Sequence, residues 1–114
     1  MKMRYSLLTA TLFVELVCVE AKEITFTEHV APIIFQNCTS CHRPGEAGPF
    51  ALMSYNDVRK RGKLIQRVTE DRIMPPWHAQ KSAFKFHGDR SLREEQISTI
   101  AKWVESGMPE GDHD

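Results

Sequence analysis

Apolar residues recur at three- and four-residue intervals along most of the chain, the spacing of helices that bury one face. Val30, Ile33 and Ile34 lead toward Cys38 and predict a first helix capped by Thr27. Pro32 falls near its first turn, where a missing N–H is tolerated. Arg43-Pro44-Gly45-Glu46-Ala47-Gly48-Pro49 then reads as a loop. A second helix is expected from Ser54, with Asp57 three residues on as its capping partner. It buries Val58, Ile65 and Val68, with Leu64 beside them, and ends before Ile73. Gly62 inside it costs about 1 kcal/mol relative to alanine, marking either a close approach or a weak helix. The third helix has the clearest limits. Ser91-Leu92-Arg93-Glu94 forms a capping box, Ile97, Ile100, Ala101 and Val104 make the apolar stripe, and Gly107 and Pro109 stop it. No alternating strand pattern of useful length is present, so the expected class is all-α.

The first 21 residues follow a different logic. Lys2 and Arg4 precede an apolar run from Leu7 to Val17, which meets Val19-Glu20-Ala21 with small or aliphatic residues at the two positions that govern cleavage. This is the layout of a secretory signal peptide over 1–21, leaving a domain over 22–114 in the periplasm or outside the cell. The run is short for a membrane span and contains Glu15, so no transmembrane span is expected in the mature chain. Cys18 follows Leu16-Val17 and lacks the small residue that lipid modification wants before it.

Charge narrows the partners. The 114 residues hold 15 Lys and Arg against 15 Asp and Glu. Lys2 and Arg4 leave with Glu15 and Glu20, so the mature chain also balances. A neutral chain lacks the basic field of a general nucleic-acid binder. With 41% hydrophobic and 26% charged residues, the composition is that of an ordinary globular domain. A core built from residues 22–114 alone is small, and a cofactor contributing apolar contacts would strengthen it.

Only Cys38 and Cys41 remain after export, too few for a disulfide framework. They belong to Cys38-Thr39-Ser40-Cys41-His42, a C-x-x-C-H run and the attachment signature of c-type haem. On a helical turn, residues three apart share a face, so both sulfurs reach one porphyrin, and His42 follows directly as an iron ligand. A zinc site would want a second cysteine pair. A thioredoxin-like pair would open a helix after a strand, whereas this one closes an apolar helical run. A disulfide between residues three apart would close a loop too small to stabilise much.

The opposite face of the iron has seven candidates: Met53, Met74, Met108, His29, His78, His87 and His113. Met74 precedes Pro75-Pro76, which push it out of helix and stiffen the arm that carries it. His78 lies next on the same arm. Met53 and Met108 flank helix ends and read as packing residues, and His87 and His113 as surface residues. The Nδ1 hydrogen of His42 needs an acceptor, for which a backbone carbonyl in the Gly48-Pro49 loop is the candidate. Phe35, Phe50, Leu52, Trp77, Phe84 and Phe86 are available to make the pocket apolar. Arg59, Lys60, Arg61, Lys63 and Arg67 give the second helix a basic face, suited to solvent, to haem propionates or to an acidic redox partner.

Cys38 to Gly45, Gly48-Pro49-Phe50 and Met74-Pro75-Pro76-Trp77-His78-Ala79 resemble exported mono-haem cytochrome c domains. Gly88-Asp89-Arg90-Ser91-Leu92 and Trp103-Val104-Glu105-Ser106-Gly107 fit the same group, so the resemblance spans the mature chain. It implies a small helical bundle around covalent haem c, with Cys38 and Cys41 attached, His42 proximal and Met74 distal. It also implies a redox partner, since such domains occur fused to or beside copper-dependent monooxygenase or thioredoxin-like modules. Position 108 is Met where that group has a small residue.

The function expected is one-electron transfer with no catalysis by the chain itself. The alternative is a haem peroxidase-like or gas-sensing domain with an open or displaceable distal ligand, which would have to recruit His78 or Arg72. A third reading makes the haem a mainly structural group.

Overall fold

The computed structural model describes residues 22–77 and 86–112. The expected export signal, His78, Phe84 and His113 lie outside them. Every regular element among the described residues is helical, and none is long and apolar enough to cross a membrane.

A single π turn, Phe26–Val30, runs directly into helix α1, Ala31–Asn37. The chain enters at Thr25, two residues before the expected cap. Thr27 is engaged elsewhere: its amide and its hydroxyl both donate to the Glu110 carbonyl, at 2.9 and 3.1 Å. The wide turn places the Val30 amide 3.3 Å from the Thr25 carbonyl, and Pro32 sits in the first turn of α1. Val30 and Ile34 are fully buried one turn apart.

The expected second helix is two. Helix α2, Tyr55–Lys60, and helix α3, Gly62–Glu70, meet at Arg61, whose φ of −116° and ψ of 10° leave the helical path. The Ser54 cap is present, accepting from the Asp57 amide at 3.2 Å, while the Asp57 carboxylate takes the Met53 amide at 3.2 Å. The break stands beside a close tertiary contact. Gly62 is buried against Met108, and a Cβ built on it would collide with Met108 Sδ. Of the two meanings open for Gly62, close approach is the one realised.

Helices α3 and α4 end alike. Ile73 N–H reaches the Val68 carbonyl at 2.9 Å and Arg72 N–H reaches Thr69 at 3.1 Å, the paired bonds of a Schellman cap. Helix α4, Glu94–Glu105, repeats the pattern with Met108 on Trp103 at 2.9 Å and Gly107 on Val104 at 3.2 Å. Gly107 takes the required positive φ of 94° freely, whereas Arg72 holds φ 55° despite its side chain. The guanidinium of Arg72 is fastened in return, to the Leu92 carbonyl at 3.2 Å and to the Glu94 carboxylate.

The expected box beginning at Ser91 is displaced. The Ser91 amide bonds Asp89 at 2.8 Å, α4 starts two residues later than that box implies, and Gln96 reaches back to the Arg93 amide at 2.9 Å. Ile97, Ile100 and Val104 are buried as expected, joined by Trp103 while Ala101 stays half-buried.

Trp103 ties the two ends of the fold together. Its ring lies 6.0 Å from that of Phe26, and its indole N–H donates to the Pro109 carbonyl at 2.9 Å. The Phe26 amide donates to the same carbonyl at 2.9 Å. Residues after α4 thus cross the start of the first helix, where Gly111, at φ 87°, leaves no room for a Cβ beside Thr25 and Thr27.

Two outcomes follow. Trp103→Phe keeps the Pro109 carbonyl bonded to Phe26, so the loss is one hydrogen bond and part of a ring, about 1–2 kcal/mol by urea denaturation. The Ser54 hydroxyl, ahead of the Met53 amide, holds Asp57 below the ordinary carboxylate range. A depressed folded-state value stabilises above the unfolded value and is lost as pH falls through it. Asp57→Asn is therefore expected to shrink the loss of thermal stability between neutral and strongly acid pH.

Candidate functional site

Helix α1 does not stop at Asn37 but tightens into one further turn. The Cys38 amide bonds the Ile34 carbonyl at 2.8 Å, the Cys41 amide bonds Cys38 at 3.2 Å, and the His42 amide bonds Cys38 at 2.9 Å. The Asn37 and Thr39 side chains occupy the carbonyls of Ile33 and Phe35, at 2.8 and 2.7 Å, so the helix end is satisfied. One turn therefore carries both thiols and the imidazole. Cys38 and Cys41 are free and half-buried. Burial, reinforced by Cys41, pushes the Cys38 thiol up to about 11, so it stays protonated near neutral pH.

His42 is held from two sides. Its Nδ1 lies 3.0 Å from the Phe50 carbonyl oxygen, which can only accept, so the hydrogen sits on Nδ1 and the lone pair on Nε2. The Phe50 ring lies 4.7 Å from the imidazole with the planes 32° apart. The acceptor is one residue beyond the expected Gly48-Pro49 segment. Gly48 has a different duty: its amide bonds the Cys41 carbonyl at 2.8 Å, and a Cβ there would stand 2.6 Å from that carbonyl and 2.7 Å from His42 Nδ1. The Leu52 amide closes the loop on the His42 carbonyl at 2.8 Å.

Cys38, Cys41 and His42 open onto a cavity of about 340 Å³, within the usual range for small-molecule sites. Its other walls are Phe50 and Leu52, the α3 face of Leu64, Ile65, Val68 and Thr69, and the arm Met74-Pro75-Pro76. Leu64 and Val68 are less buried than their helix pattern implies because they line this space. Thr69 is buried, yet its hydroxyl is satisfied within α3 by Ile65 at 2.8 Å and Gln66 at 2.9 Å. The lining is apolar apart from a few groups, and among the described residues Arg90 is the one wall residue with a permanent charge.

Met74 is positioned by its neighbours. Its amide shares the Val68 carbonyl at 3.0 Å, and the Arg72 clamp ties the start of its arm to α4. Of the described candidates for a second iron ligand, Met74 alone lines the cavity. Met108 packs on Gly62, Met53 is exposed, His87 is exposed, and His29 accepts the Thr25 amide at 3.2 Å. Of the residues expected to make the pocket apolar, Phe50 and Leu52 line it. Phe35 packs edge-on against Phe26 at 6.3 Å, and Trp77 meets Phe86 at 6.3 Å, all away from the lining.

Arg61, Arg72 and Arg90 are the residues whose placement sequence reasoning missed. Arg61 lies with its guanidinium carbon 3.9 Å from the Phe50 ring centre. A helix break and a helix end put the first two in place, and neither leaves a signal in hydrophobic spacing.

The chain matches no family model and no curated protein, and its fold matches no solved structure. No cluster of three or more His, Cys, Asp or Glu suited to a bare metal ion occurs among the described residues. Gly48→Ala is expected to cost about 1–3 kcal/mol, since the added methyl meets a backbone carbonyl and a ring pinned on both sides. A urea midpoint shared with wild type would show that the loop yields at no cost.

Proposed function

We propose that this chain is an exported one-electron carrier of the cytochrome c type, holding one haem covalently through Cys38 and Cys41, with His42 and Met74 as axial ligands. The observation that carries this reading is the convergence of Cys38, Cys41, His42 and Met74 on one apolar cavity, with His42 Nε2 left as the free donor. The donor set fits the group: two reduced thiols three residues apart, an imidazole of fixed tautomer, and a glycine where any Cβ would strike the ring.

Bound there, haem supplies an iron that gains and loses one electron. The chain supplies everything else. Cys38 and Cys41, presented on one turn, tether the macrocycle. His42 is kept from rotating by the Phe50 carbonyl and ring, and the bond to that carbonyl makes it a stronger donor. Met74 offers a thioether on an arm stiffened by Pro75 and Pro76. Leu52, Leu64 and Val68 exclude water, which disfavours the extra positive charge of the ferric state. Arg90 is suited to a carboxylate at the edge of the site. None of these residues has to donate or accept a proton, so no catalysis by the chain is required.

The partner in this reading is another redox protein, of the copper monooxygenase or thioredoxin-like kind that the sequence resemblance implies, met in the periplasm or outside the cell. The exposed basic residues of α2 and α3, such as Lys60, Lys63 and Arg67, suit an acidic docking face.

Absorption spectra of ferric wild type and Met74→Ala test the assignment. Wild type is expected to show the weak far-red band of sulfur on iron, and Met74→Ala to lose it while keeping its haem. A band that survives the substitution overturns Met74 as a ligand. A high-spin wild type that binds cyanide readily would favour the peroxidase-like alternative.

A further inference from the structure

Arg61 has no part in the site as described so far, yet three contacts converge on the residue it touches. Phe50 accepts from His42 Nδ1 at 3.0 Å through its carbonyl. Its ring lies 4.7 Å from the imidazole. The guanidinium carbon of Arg61 lies 3.9 Å from the centre of that same ring. The position is not accidental. Arg61 fills the joint between α2 and α3, next to the Gly62 contact with Met108, and its side chain lies over the Phe50 ring. Arg61 is half-buried and forms no salt bridge among the described residues. Guanidinium keeps its charge at every pH a protein meets. The two ring contacts place that charge within about 9 Å of the imidazole.

We infer that the charge of Arg61, held against the Phe50 ring beside His42, makes the iron easier to reduce. This rests on the haem reading above. Reduction adds one electron, taken from the electrode or partner, and lowers the charge of the site by one unit. A fixed positive neighbour then favours the reduced state over the oxidised one. From a charge about 9 Å from the imidazole, with the attraction discounted for the further distance to the iron and for the solvent that reaches Arg61, the reduced-to-oxidised ratio rises about three- to tenfold. At 59 mV per tenfold, that is about 30–60 mV.

The experiment is a redox titration of the full haem-bearing protein at low ionic strength, comparing wild type, Arg61→Gln and Arg61→Lys. Arg61→Gln is expected to move the ratio three- to tenfold toward the oxidised form, and Arg61→Lys to retain at least half of the wild-type advantage. Added salt should narrow the gap between wild type and Arg61→Gln, because it screens the charge. Equal potentials in wild type and Arg61→Gln overturn the inference. So does an Arg61→Lys potential as low as that of Arg61→Gln, which would make the effect one of packing. These results leave the haem reading standing, whereas a wild type with no one-electron wave removes both. Arg61→Lys also covers the case in which Arg61→Gln fails to fold.

Discussion

The hydrogen bond from His42 Nδ1 to the Phe50 carbonyl is the constraint on which the rest of the site depends. It fixes which ring nitrogen carries the lone pair, and it stops the imidazole from turning. It also sets the shape of the loop between the two residues. The chain has to leave the cysteine turn, double back and deliver the carbonyl of Phe50 beneath the ring it has just produced. That return is possible because Gly48 passes His42 and the Cys41 carbonyl at a distance no side chain allows. The Leu52 amide then latches onto the His42 carbonyl and hands the chain to α2. In the proposed role, a ligand that must keep one geometry through a change of charge gains from this rigidity, because little has to be reorganised when the electron arrives or leaves.

The other elements serve that loop. Helix α3 offers Leu64, Ile65, Val68 and Thr69 to the cavity and then ends sharply, so that the next residues become the arm bearing Met74. The sharp end needs a left-handed residue, and Arg72 fills it while its side chain grips Leu92 and Glu94 at the start of α4. Helix α4 in turn is anchored by Trp103 to the entry of the first helix. Met108 joins the two halves: its side chain sits on Gly62, and its carbonyl accepts the Tyr55 hydroxyl at 2.8 Å. Met108 therefore has a packing partner, next to the break at which Arg61 lies beside Phe50.

Local signals made much of this legible. The 3.6-residue spacing of Ile97, Ile100 and Val104, the Ser54 cap and the stop at Gly107 all reflect interactions within a few residues, and the helical class follows from them. The cysteine turn was legible for the same reason, since Cys38, Cys41 and His42 meet within one turn. What could not be read depended on distant residues. Thr27 looks like a cap until Glu110 takes its amide and hydroxyl. The helix from Ser54 looks continuous until Met108 arrives at Gly62. Ser91 resembles a cap more closely than Arg93 does, yet Asp89 claims its amide. Leu64 and Val68 read as core because a cavity wall and a core have the same spacing. Met74, proposed as the second ligand, lay between these cases: two prolines marked it as special, and only the fold sets it beside the cavity.

Whether a porphyrin is carried by these two sulfurs is decided most directly by weighing the protein. Intact mass should be recorded on the mature chain made in a host that attaches haem to C-x-x-C-H sequences. A mass heavier than the amino acids by one haem, retained after denaturation, is the expected result. A denatured chain weighing only as much as its residues contradicts it.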